Sequence, residues 1–404
     1  MAEFFMLPDP TFIGSLPDWT DGRRLPRQGI AHSLVDARNR TLALLSAFGD
    51  TQRGWQIERV EHHAPPLWTL GQLAWFAEFW CLREPRRNGS DTIEDGAGTE
   101  WDLARWQATQ PAALDGADTF FDMDRMPPEA CWELTLPGIA TIKQYAHDVL
   151  DRVLRKLATL GTDDDAALEP FRWAVFHEDL RAEHLHGLLQ ILRLQPAGQP
   201  PLAAVAVPAT QTLSLPGGRF QMGWPDADGF FFDNECPPYR TYVPAFEIDA
   251  QPVTNGQYLE FIEDRGYDHP QWWSPAGMEW LMMQERSAPL GWQRDPTTRS
   301  WQALRYGQAR TINRDEPVRH VSLYEAQAWC RWAGRRLPTE DEWEMAAVQG
   351  RAGFHWGQVW EWTSSPFEPY PDFVPGMPRG RVASLSAPHF QTMQAVRGAA
   401  AHTP

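Results

Sequence analysis

The sequence predicts an α+β protein of two domains: an all-helical bundle over residues 1–195, a linker at 196–212, and a mixed, loop-rich domain over 213–404. Three observations predict it. Several segments before residue 195 are long and apolar at helical spacing. The stretch from Gln195 to Thr212 is dense in Pro and Ala, the composition of an interdomain connection. After it, short strand-like runs alternate with Gly, Pro, Asn and Asp turns.

In the first domain a helix is expected from Gly29 to Phe48, carrying Ile30, Leu34, Leu42, Leu44, Leu45 and Phe48. Pro65-Pro66-Leu67-Trp68 opens a second helix, since Pro is preorganised for a helix start. Trp68, Leu70, Leu73, Trp75, Phe76, Phe79 and Trp80 make it apolar nearly all round, so it belongs between other helices. Residues 84–130 read as a long polar crossover. A third helix spans Ile139 to Leu160, with Ile142, Tyr145, Val149, Val153 and Leu157 on one stripe. The fourth runs from Leu168 to Leu194. Four helices with a long connection after the second make a bundle.

In the second domain, strands are expected at Thr212–Leu215, Tyr242–Ile248, Ala303–Tyr306 and Val318–Ser322. Helices are expected from Asn255 to Asp264 behind Thr254, and from Ser322 to Gly334, where Ser322 and Glu325 form a capping box. Another runs from Thr339 to Val348, with Thr339 and Glu342 as its box.

A formal charge of −17, from 53 acidic and 36 basic residues, argues against nucleic acid or an anionic membrane as the partner. The cysteines Cys81, Cys131, Cys236 and Cys330 are far apart, which suits a reducing cytoplasm. Neither a secretory leader nor a membrane-length apolar run is present in the sequence given, so a cytoplasmic, membrane-free protein is expected.

Chemistry concentrates in Phe176–Gly187, which holds His177, Glu178, Asp179, Arg181, Glu183, His184 and His186. On a helix His177, Arg181 and His184 share a face, and His186 points away. Inward imidazoles and carboxylates on bundle helices build non-haem metal sites. The competing reading is a polar helix face with hydrogen-bonded histidines.

Five motifs then appear in order: Asp233-Asn234-Glu235-Cys236-Pro237, Pro252-Val253-Thr254-Asn255, Pro317–Ser322, Gly334–Glu344 and Val359–Ser365. Together they resemble the formylglycine-generating-enzyme-like fold, which is related to C-type lectins. The first domain, with its Pro65–Trp68 helix start and His177-Glu178 and Glu183 later, looks like a DinB-type four-helix bundle. That pairing resembles the ergothioneine-type sulfoxide synthases, and within them most the selenoneine synthase branch.

The resemblance implies iron(II) as cofactor and hercynine, O2 and either a selenosugar or a thiol as substrates. It implies joining of selenium or sulfur to the imidazole C2 of hercynine. The alternatives are a sulfoxide synthase using cysteine or γ-glutamylcysteine, and a non-catalytic module that binds a small molecule or sugar. The family's iron is held by one histidine of the second helix and two in an H-x3-H-x-E motif of the fourth. His177 matches the first motif histidine and Glu183 the glutamate. Arg181 stands at the second histidine, and Gln72, four residues after Trp68, stands at the second-helix histidine. Arg cannot ligate.

A displaced metal set is therefore expected among His62, His63, His177, His184 and Glu183, with Gln72, Arg181 and Trp360 toward substrate. His177 and His184 would be about 10 Å apart along the axis, a strain on any single ion. Displacement toward His184 requires the second and fourth helices to run antiparallel, which brings His62 and His63 near. Tyr370 is the candidate proton donor, since the family's tyrosine has no counterpart near Arg379–Leu385. Trp101, Trp106, Asp122 and Asp124 form a candidate sugar-binding wall. Formylglycine formation is disfavoured, because no cysteine follows Cys330. The ending at Arg397–Pro404 resembles the family's R-G-G-S-W segment without the N-W-D stretch beyond it, so a C-terminal truncation is expected.

Overall fold

The computed structural model describes residues 22–49, 52–94, 96, 98–123, 127–161, 164–196, 211–224, 229–350, 353–375, 386–401 and 403. Most of the expected 196–212 linker, Asp124, and the Arg379–Leu385 stretch lie outside them. The chain divides into two compact units. One comprises residues 1–89, 104–199 and 226–231, and the other 90–103, 200–225 and 232–404.

The first unit is helical. Its elements are α1 (Arg27–Leu45), α2 (Gln52–Trp55), α3 (Pro66–Leu82), α4 (Ala117–Phe121), α5 (Ile139–Thr159) and α6 (Asp165–Leu192). Strands β1 (Arg86–Glu94) and β2 (Glu100–Gln107) pair between α3 and α4. The expected crossover thus contains a hairpin and a short helix. α3 packs on α5 and α6, and α1 on α6 and α5, which makes four packed helices. Every residue of α3 is buried, as its all-round apolar sequence requires.

Three polar clamps hold this unit. Arg38 of α1 donates to both carboxylate oxygens of Glu178 on α6, at 2.6 and 3.0 Å, and to the Ala146 carbonyl of α5 at 2.9 Å. Glu78 of α3 accepts from the Tyr145 hydroxyl at 2.7 Å, from Arg152 at 3.1 Å and from the Ala113 amide at 3.0 Å. Arg83 forms a two-pronged bond to Asp118 at 2.6 and 2.7 Å. Gly71 lets α4 lie against α3, for a Cβ there would come 2.2 Å from the Phe121 ring.

The second unit is built of β3 (Thr212–Leu215), β4 (Gly218–Met222), β5 (Tyr239–Val243), β6 (Phe246–Asp249), α7 (Asn255–Glu263), α8 (Pro275–Gln284), β7 (Trp292–Arg294), β8 (Trp301–Arg305), β9 (Gln308–Thr311), α9 (Leu323–Trp332), α10 (Glu340–Gln349), β10 (Trp360–Pro366) and β11 (Gln394–Gly398). The pairs β3–β6, β4–β5 and β10–β11 are antiparallel, and β7–β8–β9 form a meander. Capping boxes at Thr254, Ser322 and Thr339 start α7, α9 and α10. One core gathers Phe220, Met222, Val243, Phe246, Trp343 and Tyr370, and a second gathers Tyr258, Phe261, Tyr267, Trp273 and Trp329.

Three expectations are corrected. Tyr242–Ile248 is not one strand: Pro244 lacks an amide hydrogen and separates β5 from β6. Val318–Ser322 is no strand either: Val318 donates to the Val253 carbonyl and His320 accepts from the Leu290 amide, but His320 turns to a positive φ of 60° and breaks the run. α8 was not anticipated, although Ser274 caps it and Pro275 fills its first position.

Candidate functional site

Contacts along α3 and α6 run in opposite senses. Cys81 near the end of α3 lies 3.4 Å from the Pro170 carbonyl near the start of α6. Phe76 stacks face to face on His177, with centroids 3.8 Å apart and planes at 9°. Earlier on α3, the Trp68 ring receives the Arg181 guanidinium at 5.9 Å. His63, just before α3, sits against Gly187 near the end of α6, where a Cβ would lie 3.0 Å from its Nε2. The two helices are therefore antiparallel, as a displaced site requires.

Trp68, Gln72 and Phe76 recur every four residues and form one stripe of α3. His177, Arg181 and His184 form the facing stripe of α6. Trp68 meets Arg181 and Phe76 meets His177, so Gln72 falls between these contacts. Gln72 is only 2% exposed, and its side-chain oxygen has no hydrogen-bond partner. Arg181 donates from Nη2 to Met123 Sδ at 3.1 Å, while its buried Nε donates to nothing. Burial lowers the Arg181 pKa to about 10.

Burial, then the charge of Arg181, then His184, hold the His177 pKa well below that of a free imidazole, so its ring is neutral. His184 keeps part of its surface in solvent. The crowding protein, Arg181 and His63 all disfavour its protonation. Cys131 is buried beside Arg181, and desolvation pushes its pKa up to about 11, which keeps it a thiol.

The structure does not bring the five expected ligands together. His62 adopts a positive φ of 60° and turns outward beside Glu61, its side chain 88% exposed. His63 is held in place: its Nδ1 lies 2.9 Å from the Glu61 carbonyl, and its own carbonyl accepts from Trp132 at 2.9 Å. Glu183 is half-buried and off the His177–His184 stripe. Among the described residues, no group of three His, Cys, Asp or Glu side chains could hold a metal ion.

The iron implied by the resemblance is thus not matched by these residues. An amide oxygen and a guanidinium stand where the resemblance places two of the ligands, and that guanidinium charge opposes a metal cation beside it.

In the second unit, Tyr370 is a core residue, 6% exposed. Arg397 donates to its hydroxyl at 3.1 Å, and burial raises its pKa, so this environment retains the proton rather than releasing it. Trp360, 46% exposed, lines a cavity of about 350 Å³ together with Gln251, Glu361 and Trp362. Burial raises the Glu361 pKa to about 8. One carboxylate oxygen of Glu361 and the Gln251 side-chain oxygen have no partner. This cavity was not read from the sequence, where Trp360 was the only lining residue put forward as a substrate contact.

The residues of the candidate sugar wall divide between the two units, and Asp124 lies outside the described residues. Trp101 packs with Phe373 and Phe390 in the second unit, at 5.2 and 5.9 Å. Trp106 packs on Trp80 in the first, at 5.5 Å, and Asp122 is buried. Met123, Cys131 and Phe76 were missed as site residues. Only the four-residue spacing of Trp68, Gln72 and Phe76 could have signalled the last.

Residues 199–358 match the family described as the sulfatase-modifying factor enzyme 1-like domain. The chain is similar to a hercynine oxygenase of Mycolicibacterium smegmatis, 32% identical over 87% of this chain and 86% of the relative. A hercynine oxygenase of Mycobacterium tuberculosis is 33% identical over 87% and 86%. A formylglycine-generating enzyme of Streptomyces coelicolor is 34% identical over 40% of this chain and 57% of its own.

Proposed function

The chain belongs to the hercynine oxygenase family, and on that premise we propose that it modifies hercynine in an O2-consuming reaction. In this reading the imidazole C2 is joined to a chalcogen. A selenosugar is the donor favoured here, in selenoneine biosynthesis; cysteine or γ-glutamylcysteine is the alternative, giving an ergothioneine-type sulfoxide. The observation that carries the reading is similarity over most of both chains to relatives named as hercynine oxygenases. The preference for selenium rests on the departures from the family's pattern at Gln72, Arg181 and the missing late tyrosine.

The helical unit is read as a DinB-type bundle, with the facing stripes of α3 and α6 as the hercynine site. Trp68 is an aromatic face of the kind that holds a cation, and it already carries the Arg181 guanidinium. His177 and His184, kept neutral by their surroundings, are suited to accept or donate single hydrogen bonds to an imidazole without adding charge. Iron(II) would supply the O2 chemistry in this family. Since the residues at hand do not match its ligand set, no step is derived through it. A cytoplasmic setting completes the reading; among the described residues no helix is long and apolar enough to cross a membrane.

One observation favours a second reading, a small-molecule-binding module without catalysis: Gln72 and Arg181 occupy metal-ligand positions. The two separate in one experiment. Anaerobically purified protein is mixed with Fe(II), hercynine and a selenosugar, cysteine or γ-glutamylcysteine, then exposed to O2. A product heavier than hercynine by the chalcogen-bearing fragment supports the synthase, and its identity names the donor. Hercynine bound but recovered unchanged with every donor supports the module.

A further inference from the structure

We propose that the facing stripes of α3 and α6 form an anion site, in which Arg181 receives the carboxylate of a small ligand and Gln72 Oε1 accepts an N–H from the same molecule. The inference deepens the hercynine reading and names which groups of the ligand are recognised.

Arg181 is the exception among the arginines of its unit. The most deeply buried ones each have a carboxylate: Arg38 has Glu178, Arg83 has Asp118 and Arg172 has Asp165. Among the described residues Arg181 has a thioether instead, Met123, whose sulfur is a weak acceptor, and its Nε is buried and idle. A guanidinium is a rigid fork that fits a carboxylate two bonds at a time. Leaving it unpaired inside protein is unfavourable unless something arrives to pair it.

Gln72 shows the opposite deficit. Its Oε1 is an acceptor with nothing donating to it, on a residue 2% exposed. The idle donor and the idle acceptor sit on facing stripes, bracketed by the Trp68–Arg181 and Phe76–His177 contacts. A ligand with a carboxylate at one end and an N–H on a flat ring at the other meets both needs. Hercynine has both groups. So does any imidazole carboxylate, which separates the chemistry of the site from the identity of the substrate.

The test is calorimetric titration of the full-length protein with three probes. They are hercynine, its decarboxylated analogue N,N,N-trimethylhistamine, and imidazole-4-acetate. The proposal expects hercynine to bind at least ten-fold more tightly than the decarboxylated analogue, and imidazole-4-acetate to bind as well. Arg181→Met should erase the preference for hercynine and Arg181→Lys should keep part of it. Gln72→Leu should weaken hercynine and its analogue alike. If Arg181→Met does not fold, the comparison of probes on the unaltered protein still decides.

Equal binding of hercynine and its decarboxylated analogue overturns the proposal and leaves the hercynine reading standing. Imidazole-4-acetate binding that depends on Arg181, with no hercynine binding, supports the proposal and sinks the hercynine reading. No binding by any probe overturns the proposal.

Discussion

Replacing Arg181 with Met should stabilise the helical unit. The substitution keeps much of the stem that fills the space beside Trp68 and removes a charge that no carboxylate offsets among the described residues. The magnitude follows from the surroundings. Burial takes the Arg181 pKa from 12.5 to about 10. At about 1.4 kcal/mol per tenfold change in proton affinity, that is roughly 3 kcal/mol of penalty on the charged form. The guanidinium over the Trp68 ring returns about 0.5–2 kcal/mol of this. Met also loses the weak contact to Met123, and Arg181 retains some solvent contact. The net gain is about 1–2 kcal/mol, or a rise of roughly 2–8 °C in a unit of this size. Differential scanning calorimetry of the ligand-free protein, in a buffer without carboxylates, reads it directly. A fall in the bundle transition of more than 2 °C refutes the reasoning, because it would mean that Arg181 already has a counter-charge. A stability gain together with loss of ligand binding is the pattern of a site that holds strain for function.

Three further perturbations follow from the packing. Arg38→Met alone should cost about 3–5 kcal/mol by stranding Glu178, whereas Arg38→Met with Glu178→Met should cost far less; urea denaturation of the three proteins measures the difference. Gly71→Ala drives a methyl into the Phe121 ring, 2.2 Å away, and should destabilise by about 1–3 kcal/mol, read as a lowered melting temperature. Glu361 binds its proton more tightly folded than unfolded, its pKa raised from 4.5 to about 8. Between those limits the folded state holds the extra proton, so this residue makes stability fall as pH rises from about 4.5 to about 8. Glu361→Gln should therefore match the unaltered protein near pH 5 and melt higher near pH 8; parallel melting curves at both pH values would contradict it.

Much of the helical unit was legible because its signals are local. The Pro65-Pro66 start, the apolar surround of α3 and the single stripe of α5 each follow from chain spacing, and the observed helices start and end close to where those signals lie. Capping boxes at Ser322 and Thr339 located two helices of the second unit for the same reason. The hairpin of β1 and β2 was not legible, because β1 (RRNGSDTIE) carries a single large apolar residue, Ile93, and so offers no alternation of apolar and polar residues to follow. Turns decided by one torsion were equally silent. Tyr306 and Gly307, both at positive φ, close β8 onto β9, and only the glycine advertises this.

The site divides the same way. The shared face of His177, Arg181 and His184 is a matter of helical arithmetic. Which face of α3 they meet is a tertiary fact, and it made Phe76 the partner of His177. The choice between His62 and His63 hangs on one backbone turn: His62 rotates into solvent and His63 stays against Gly187. Nor does spacing reveal that Gln72 and Arg181 keep idle polar atoms, since satisfaction of a buried group depends on every element around it.

The most direct measurement is a crystal structure of the protein grown with hercynine. The account predicts hercynine between α3 and α6, its carboxylate within hydrogen-bonding distance of the Arg181 guanidinium and an imidazole N–H on Gln72 Oε1. Hercynine seated elsewhere, with Arg181 and Gln72 still unengaged, would contradict it.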